Sequence, residues 1–112
     1  MEEDINIQIF ELQASICKSL SDSKRLLIIH ELRTGEKSVG QLTDALEVSQ
    51  PNMSRHLSIL RESGLVVTRR AGTTIYYSLT SPKIVEACDI VRGVLTERLQ
   101  KNQELAKSLE QS

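Results

Sequence analysis

The chain has 112 residues, enough for one hydrophobic core and too few for two independent ones. Hydrophobic residues make up 39% and aromatics only 3%, so an aliphatic core is required, and a net charge of −1 does not by itself favour a polyanionic partner. No apolar run approaches the ~20 residues of a membrane span, and the start MEEDINIQ lacks the basic-then-apolar order of a secretory signal, so a cytoplasmic protein with no membrane partner is expected.

A first helix is expected from about Ile5 to Leu20, where Ile9, Leu12, Ile16 and Leu20 fall on one stripe. Ser21-Asp22-Ser23 then offers side chains that accept hydrogen bonds from the open amides of a second helix, KRLLIIHELR, and Gly35 is a natural stop. Because Leu26, Leu27, Ile28 and Ile29 are consecutive, burial of that helix on more than one side is expected. Ser38-Val39-Gly40-Gln41 fits a capping box and opens a short helix with Val39, Leu42 and Leu46 turned inward. Glu47-Val48-Ser49 leads into a fourth helix that begins at Ser49-Gln50-Pro51 and ends at Gly64, the proline being tolerated where an amide has no partner.

Past Gly64 the period changes. LVVTRR and TIYYSL are β-branched and aromatic, and Ala71-Gly72-Thr73 between them predicts a two-stranded hairpin. Ser81-Pro82 then caps a long final helix whose stripe is Ile84, Cys88, Val91, Leu95 and Leu99.

This order predicts a mainly α fold with a small β-hairpin: a winged helix-turn-helix, in one domain of residues 1–112. The helix-turn-helix is placed at 38–64 and the wing at 65–80. The terminal helices, 1–20 and 81–105, carry stripes that a small domain cannot bury alone, which predicts a homodimer built on them.

In such a fold the second helix of the motif lies in the DNA major groove, its first residues near base edges. The fourth helix has suitable chemistry. Gln50 and Asn52 carry paired donors and acceptors of the kind that read adenine, Ser49 and Ser54 can bond bases or phosphates, and Arg55 can take a guanine edge or a phosphate. Ser38 and His56 complete the candidates around the motif, and Arg69 and Arg70 flank the wing turn, within reach of phosphates or a minor groove. For every polar side chain except Gln50, a phosphate contact is at least as expected as a base contact. Four arginines and one glutamate between Gln50 and Thr80 leave a local net of +3, whereas residues 1–16 hold Glu2, Glu3, Asp4 and Glu11 and no base.

The plain alternative is a solvated helix face on a winged-helix protein-interaction module. An enzyme is not expected, since no nucleophile, base and orienting group converge and no phosphate-cradling glycine loop occurs. No cofactor is expected either.

The stretch KRLLIIHELRTGEKSVGQLTDALEVSQPNMSRHLSILRESGLVVTRRAGTTIYYSL resembles the ArsR/SmtB family of dimeric winged-helix repressors over about half the chain. Its most specific pieces are SVGQL, SRHLSILRESGLV and RRAGTTIYYSL. The resemblance implies a homodimer that binds an imperfect inverted repeat in an operator and leaves when an inducer is sensed.

Metal-sensing members carry a cysteine motif on the helix that begins here at Ser38, or an Asp and His pattern on the final helix. This sequence has neither, so no metal site is expected, and His30 reads as a packing residue. Other members sense reactive sulfur or oxidants through a cysteine pair on the second and final helices. Cys88 suits the latter position, but Ile29 and His30 stand where the partner would be, and the other cysteine is Cys17 in the first helix. Cys17 and Cys88 are therefore redox-sensing candidates beside two alternatives, simple packing as small hydrophobes and a metal or metalloid held by the thiols.

Overall fold

The computed structural model describes residues 2–111, with side chains from residue 6 onward; Glu2, Glu3 and Asp4 of the acidic start lie outside the described side chains. Two compact units are distinguished, Met1–Pro82 and Lys83–Ser112.

The first unit contains α1 (Glu2–Ser19), α2 (Ser23–Glu31), a short 3-10 turn (Leu32–Thr34), β1 (Lys37–Ser38), α3 (Val39–Leu46), α4 (Gln50–Glu62), β2 (Val66–Ala71) and β3 (Thr74–Leu79). The second is one helix, α5 (Lys83–Gln111). No helix among the described residues is long and apolar enough to cross a membrane.

Each boundary has a local cause. Asp22, the middle member of the polar cluster, caps α2: its Oδ1 accepts from the amides of Lys24 at 2.8 Å and Arg25 at 3.2 Å. The capping box of α3 is complete, since the Gln41 amide donates to Ser38 Oγ at 3.2 Å and the Ser38 amide donates to Gln41 Oε1 at 2.9 Å. A left-handed residue ends α3, and it is Glu47 rather than a glycine (φ 53°), at a cost of about 1 kcal/mol. At the end of α4, the Leu65 amide donates to the Leu60 carbonyl and the Gly64 amide to the Arg61 carbonyl, with Gly64 at φ 77°. This paired termination needs a left-handed residue, and glycine adopts it without a side-chain clash.

The core lies between α2, α3, α4 and the base of β2, which pack on one another. It consists of Ile28, Ile29, Leu32, Leu42, Met53, Leu57, Leu60, Leu65 and Val66. The apolar stripe of α4 is therefore internal. For α2 the expectation of burial on several sides is corrected: Leu26 and Leu27 stay exposed. Ile28, Ile29 and Leu32 are neighbours at three- and four-residue spacing, so they share one arc and the preceding leucines turn away from it.

The sheet has three strands in the order β1-β3-β2, all antiparallel. β2 and β3 form the expected hairpin, with Ala71 opposite Thr74 across a two-residue turn in which Gly72 takes φ 64°. β1 was not anticipated: Lys37 and Ser38 pair with Tyr77 and Tyr76 and tie the start of α3 to the wing. Thr80 closes the wing's base, its amide donating to the Leu65 carbonyl at 3.1 Å and its hydroxyl to the Gly64 carbonyl at 2.8 Å.

Candidate nucleic-acid interface

Glu47, Val48 and Ser49 are the whole connection between α3 and α4, so the two helices form the tight pair that the sequence suggested. Of α4, the inner side is Met53, His56, Leu57 and Leu60. The outer side is Gln50, Asn52, Ser54, Arg55, Ser58 and Arg61, all exposed, and no acidic residue occurs between Gln50 and Arg61.

Ser49 is the residue before the first turn of α4, yet its side chain makes no capping hydrogen bond. Ser49 therefore leaves the first-turn amides of Gln50 and Asn52 without a side-chain cap at an exposed helix end, where the dipole favours an anion, and Pro51 has no amide hydrogen to offer. Ser38, half-buried, is committed differently: its oxygen accepts from Gln41 as the cap of α3.

His56 does not belong to the outer face. It is only 5% exposed, and its Nδ1 lies 3.2 Å from Arg25 Nη1. Burial pushes its pKa below the ordinary 6.5; the Asp22 charge opposes this, while Arg25, Arg55 and Lys24 add to it. The reason for the correction is helical spacing, since residue 56 follows Met53 by three and precedes Leu60 by four, within the apolar arc. The same spacing would have found a residue that was missed: Ser58 follows Ser54 by four and Arg55 by three, and it is exposed beside them.

The wing arginines part company as well. Neighbouring residues of a strand point to opposite faces. Arg69 faces β1's approach, where Nε donates to Glu36 Oε2 at 3.0 Å and a second guanidinium nitrogen meets Oε1, and the guanidinium lies 4.9 Å from the ring centroid of Tyr76, its cross-strand neighbour. This hydrogen bond with Arg69 holds the Glu36 carboxyl below the usual carboxylate range. Arg70 is exposed and has no ion-pair partner among the described residues.

Among the described residues no group of three or more His, Cys, Asp or Glu is placed to hold a metal ion. Both thiols are unpaired, Cys17 exposed and Cys88 half-buried; burial raises the Cys88 pKa, with Asp89 adding and Arg92 opposing. His30 stands against the Arg33 guanidinium one turn away.

A tight helix pair whose second member presents a polar face with a single acid, Glu62, at its far end, followed by a hairpin tied to the start of the first, defines a winged helix-turn-helix domain. The family description "Bacterial regulatory protein, arsR family" matches residues 22–68. The chain is 42% identical over 83 residues to the biofilm growth-associated repressor of Xylella fastidiosa, covering 74% of this chain and 70% of that protein. It is 41% identical over 69 residues to the transcriptional activator HlyU of Vibrio cholerae, covering 62% and 64% respectively. A solved homodimeric winged helix-turn-helix DNA-binding domain from Mycobacterium bovis, described as a possible ArsR-family regulator, matches with a TM-score of 0.78 at 29% identity, over 87% of this chain and 90% of that one. The chain belongs to the arsR family of bacterial regulatory proteins. It is a DNA-binding transcriptional regulator and not an enzyme.

Proposed function

We propose that the protein is a repressor that binds an imperfect inverted repeat in an operator as a homodimer and is released by an inducer. The observation that carries the DNA contact is the exposed polar face of α4, which is free of acidic residues from Gln50 to Arg61 and carries Glu62 only at its last position. In this reading Gln50 meets a base edge, Asn52, Ser54, Arg55 and Ser58 share bases and phosphates, and Ser49 with the first-turn amides meets the backbone. Ser38 contributes by holding α3 in place and offering its hydroxyl proton at the motif's edge. Of the wing arginines, Arg70 is the phosphate contact, because Glu36 already occupies the Arg69 guanidinium.

The dimer reading rests on exposed apolar side chains at both termini. Ile9, Phe10, Leu12 and Ile16 of α1 lie exposed, as do Val91, Val94, Leu95 and Leu99 of α5. Surfaces of this kind mark contact sites. Residues 1–20 and 81–105 are accordingly the proposed dimer interface of a chain acting as one DNA-binding unit. The repressor sense follows the family resemblance and the name of the Xylella relative.

The test is the affinity for duplex DNA from upstream of the protein's own coding sequence as salt is varied. Log affinity should fall linearly with log salt as phosphates are neutralised. Arg70→Ala should reduce the slope by about 1, and Arg69→Ala by less. Binding that does not respond to salt contradicts the reading, and equal slopes for both variants contradict the assignment within the wing.

For release, the proposed route is thiol chemistry at Cys17 and Cys88, both on helices assigned to the interface. A disulfide formed as peroxide is reduced to water, or a bridge of added sulfur from a polysulfide, changes the angle between subunits and so the spacing of the two α4 helices on DNA. Burial raises the Cys88 pKa, which lowers the fraction of thiolate available for attack on the reagent. Peroxide or polysulfide should release the parent from DNA and leave Cys17→Ser and Cys88→Ser bound; the same response from all three contradicts the thiol route.

A further inference from the structure

Ser19 and His56 are the buried polar residues among those described, at 6% and 5% exposure, and a single side chain joins them. Ser19 is the last residue of α1, so its carbonyl is one of those that helix geometry leaves without a partner. Arg25 Nε donates to that carbonyl, and Arg25 Nη1 donates to His56 Nδ1 in the middle of α4. Guanidinium nitrogens only donate, so Nδ1 must accept, and the neutral imidazole carries its proton on Nε2.

A second tie runs beside the first. Ser19 Oγ meets Ser63 Oγ, at the end of α4. Each hydroxyl also lies within reach of a carbonyl of its own helix, Ser15 at 3.1 Å and Ile59 at 3.0 Å, and with one proton apiece one hydroxyl must give to the other. The last turn of α1 is thus bonded to α4 at two places.

We propose that Arg25 is a positioning residue for operator binding: its two arms hold α4 to the end of α1 through His56 and Ser19, and a proton taken up by His56 undoes the hold. The proposal rests on the reading above, in which α1 belongs to the dimer interface and α4 to the DNA. A dimer must place two recognition helices on two half-sites at once, so a small tilt of α4 against α1 is felt at both. Protonated His56 has no acceptor left and sets a cation against the guanidinium. The charged groups acting on His56 are Asp22, Lys24 and Arg25 from the start of α2 and Arg55 from α4, and of these only Asp22 favours the proton. Burial and the three cations keep His56 neutral at neutral pH, and its charging becomes significant only below the ordinary 6.5.

The test measures binding to a labelled duplex from upstream of the protein's own coding sequence, between about pH 8 and 5 at constant ionic strength, with circular dichroism at each pH. Wild-type protein should bind at neutral pH and lose affinity about tenfold or more in acid while its helix content holds. Asparagine places a neutral acceptor near the position of Nδ1, so His56→Asn should bind at neutral pH within a few-fold of wild type and lose the acid response. Arg25→Lys cannot span both acceptors and should weaken binding about tenfold at neutral pH. His30→Asn should keep the wild-type profile, which excludes the other histidine as the source. A His56→Asn profile that superimposes on wild type, or an Arg25→Lys protein with wild-type affinity, overturns the proposal. If wild type binds no DNA at any pH, the functional reading fails and this proposal with it.

Discussion

Leu57→Ala is expected to lower the stability of the fold by about 2–5 kcal/mol, the range for removing a large aliphatic side chain from a packed interior. Leu57 is completely buried, and α4 packs on α2, α3 and β2, so little room exists for the surroundings to collapse into the space. Domains of this size have total stabilities of about 5–15 kcal/mol, so the loss is a large share. Urea unfolding followed by circular dichroism should show a lower midpoint with the same slope. A midpoint within error of the parent would mean that the inner face of α4 is not anchored as described. DNA binding should be lost in parallel with folding, because the outer face has no structure of its own without the inner one.

Arg55→Ala is expected to act on DNA and leave the fold alone. Arg55 is exposed, and among the described residues no ion pair engages it. Removing a bidentate contact to a guanine edge costs ~1–3 kcal/mol, about fivefold to 150-fold in affinity, with discrimination lost at one position of the site. A phosphate contact has a different signature: a smaller loss, similar on every sequence, with the salt slope reduced by about 1. Titrations of operator and scrambled duplexes at several salt concentrations separate the two. Unchanged affinity on both would remove Arg55 from the interface.

Much of the architecture was legible because it is written in short-range chemistry. Ser38 with Gln41, Gly64 after α4 and Gly72 in the wing each act within four or five residues, and the stripe Met53, Leu57 and Leu60 repeats with the helix. What was not legible depends on residues far apart in the chain or on angle rather than polarity. β1 is two residues long, too short for alternation to register, and exists because Tyr76 and Tyr77 lie alongside it. Arg69 looked available until Glu36, thirty-three residues earlier, came to lie against it. His56 was grouped with Arg55 because both are polar, although its spacing places it with Met53 and Leu60. Its partner Arg25 lies on another helix, so a buried, neutral histidine held by an arginine could not be read from the local sequence.

The central claim is that the outer face of α4 distinguishes one DNA sequence from another, and the most direct measurement is the ratio of affinities for operator and scrambled duplexes in wild type and in the Gln50→Ala/Asn52→Ala double variant. Both amide side chains are exposed in the first turn of α4 and neither is charged. The ratio should collapse in the variant while the salt slope stays at the wild-type value, because base readout is lost and phosphate neutralisation is not. A variant that keeps the wild-type ratio would contradict the assignment of sequence reading to this face.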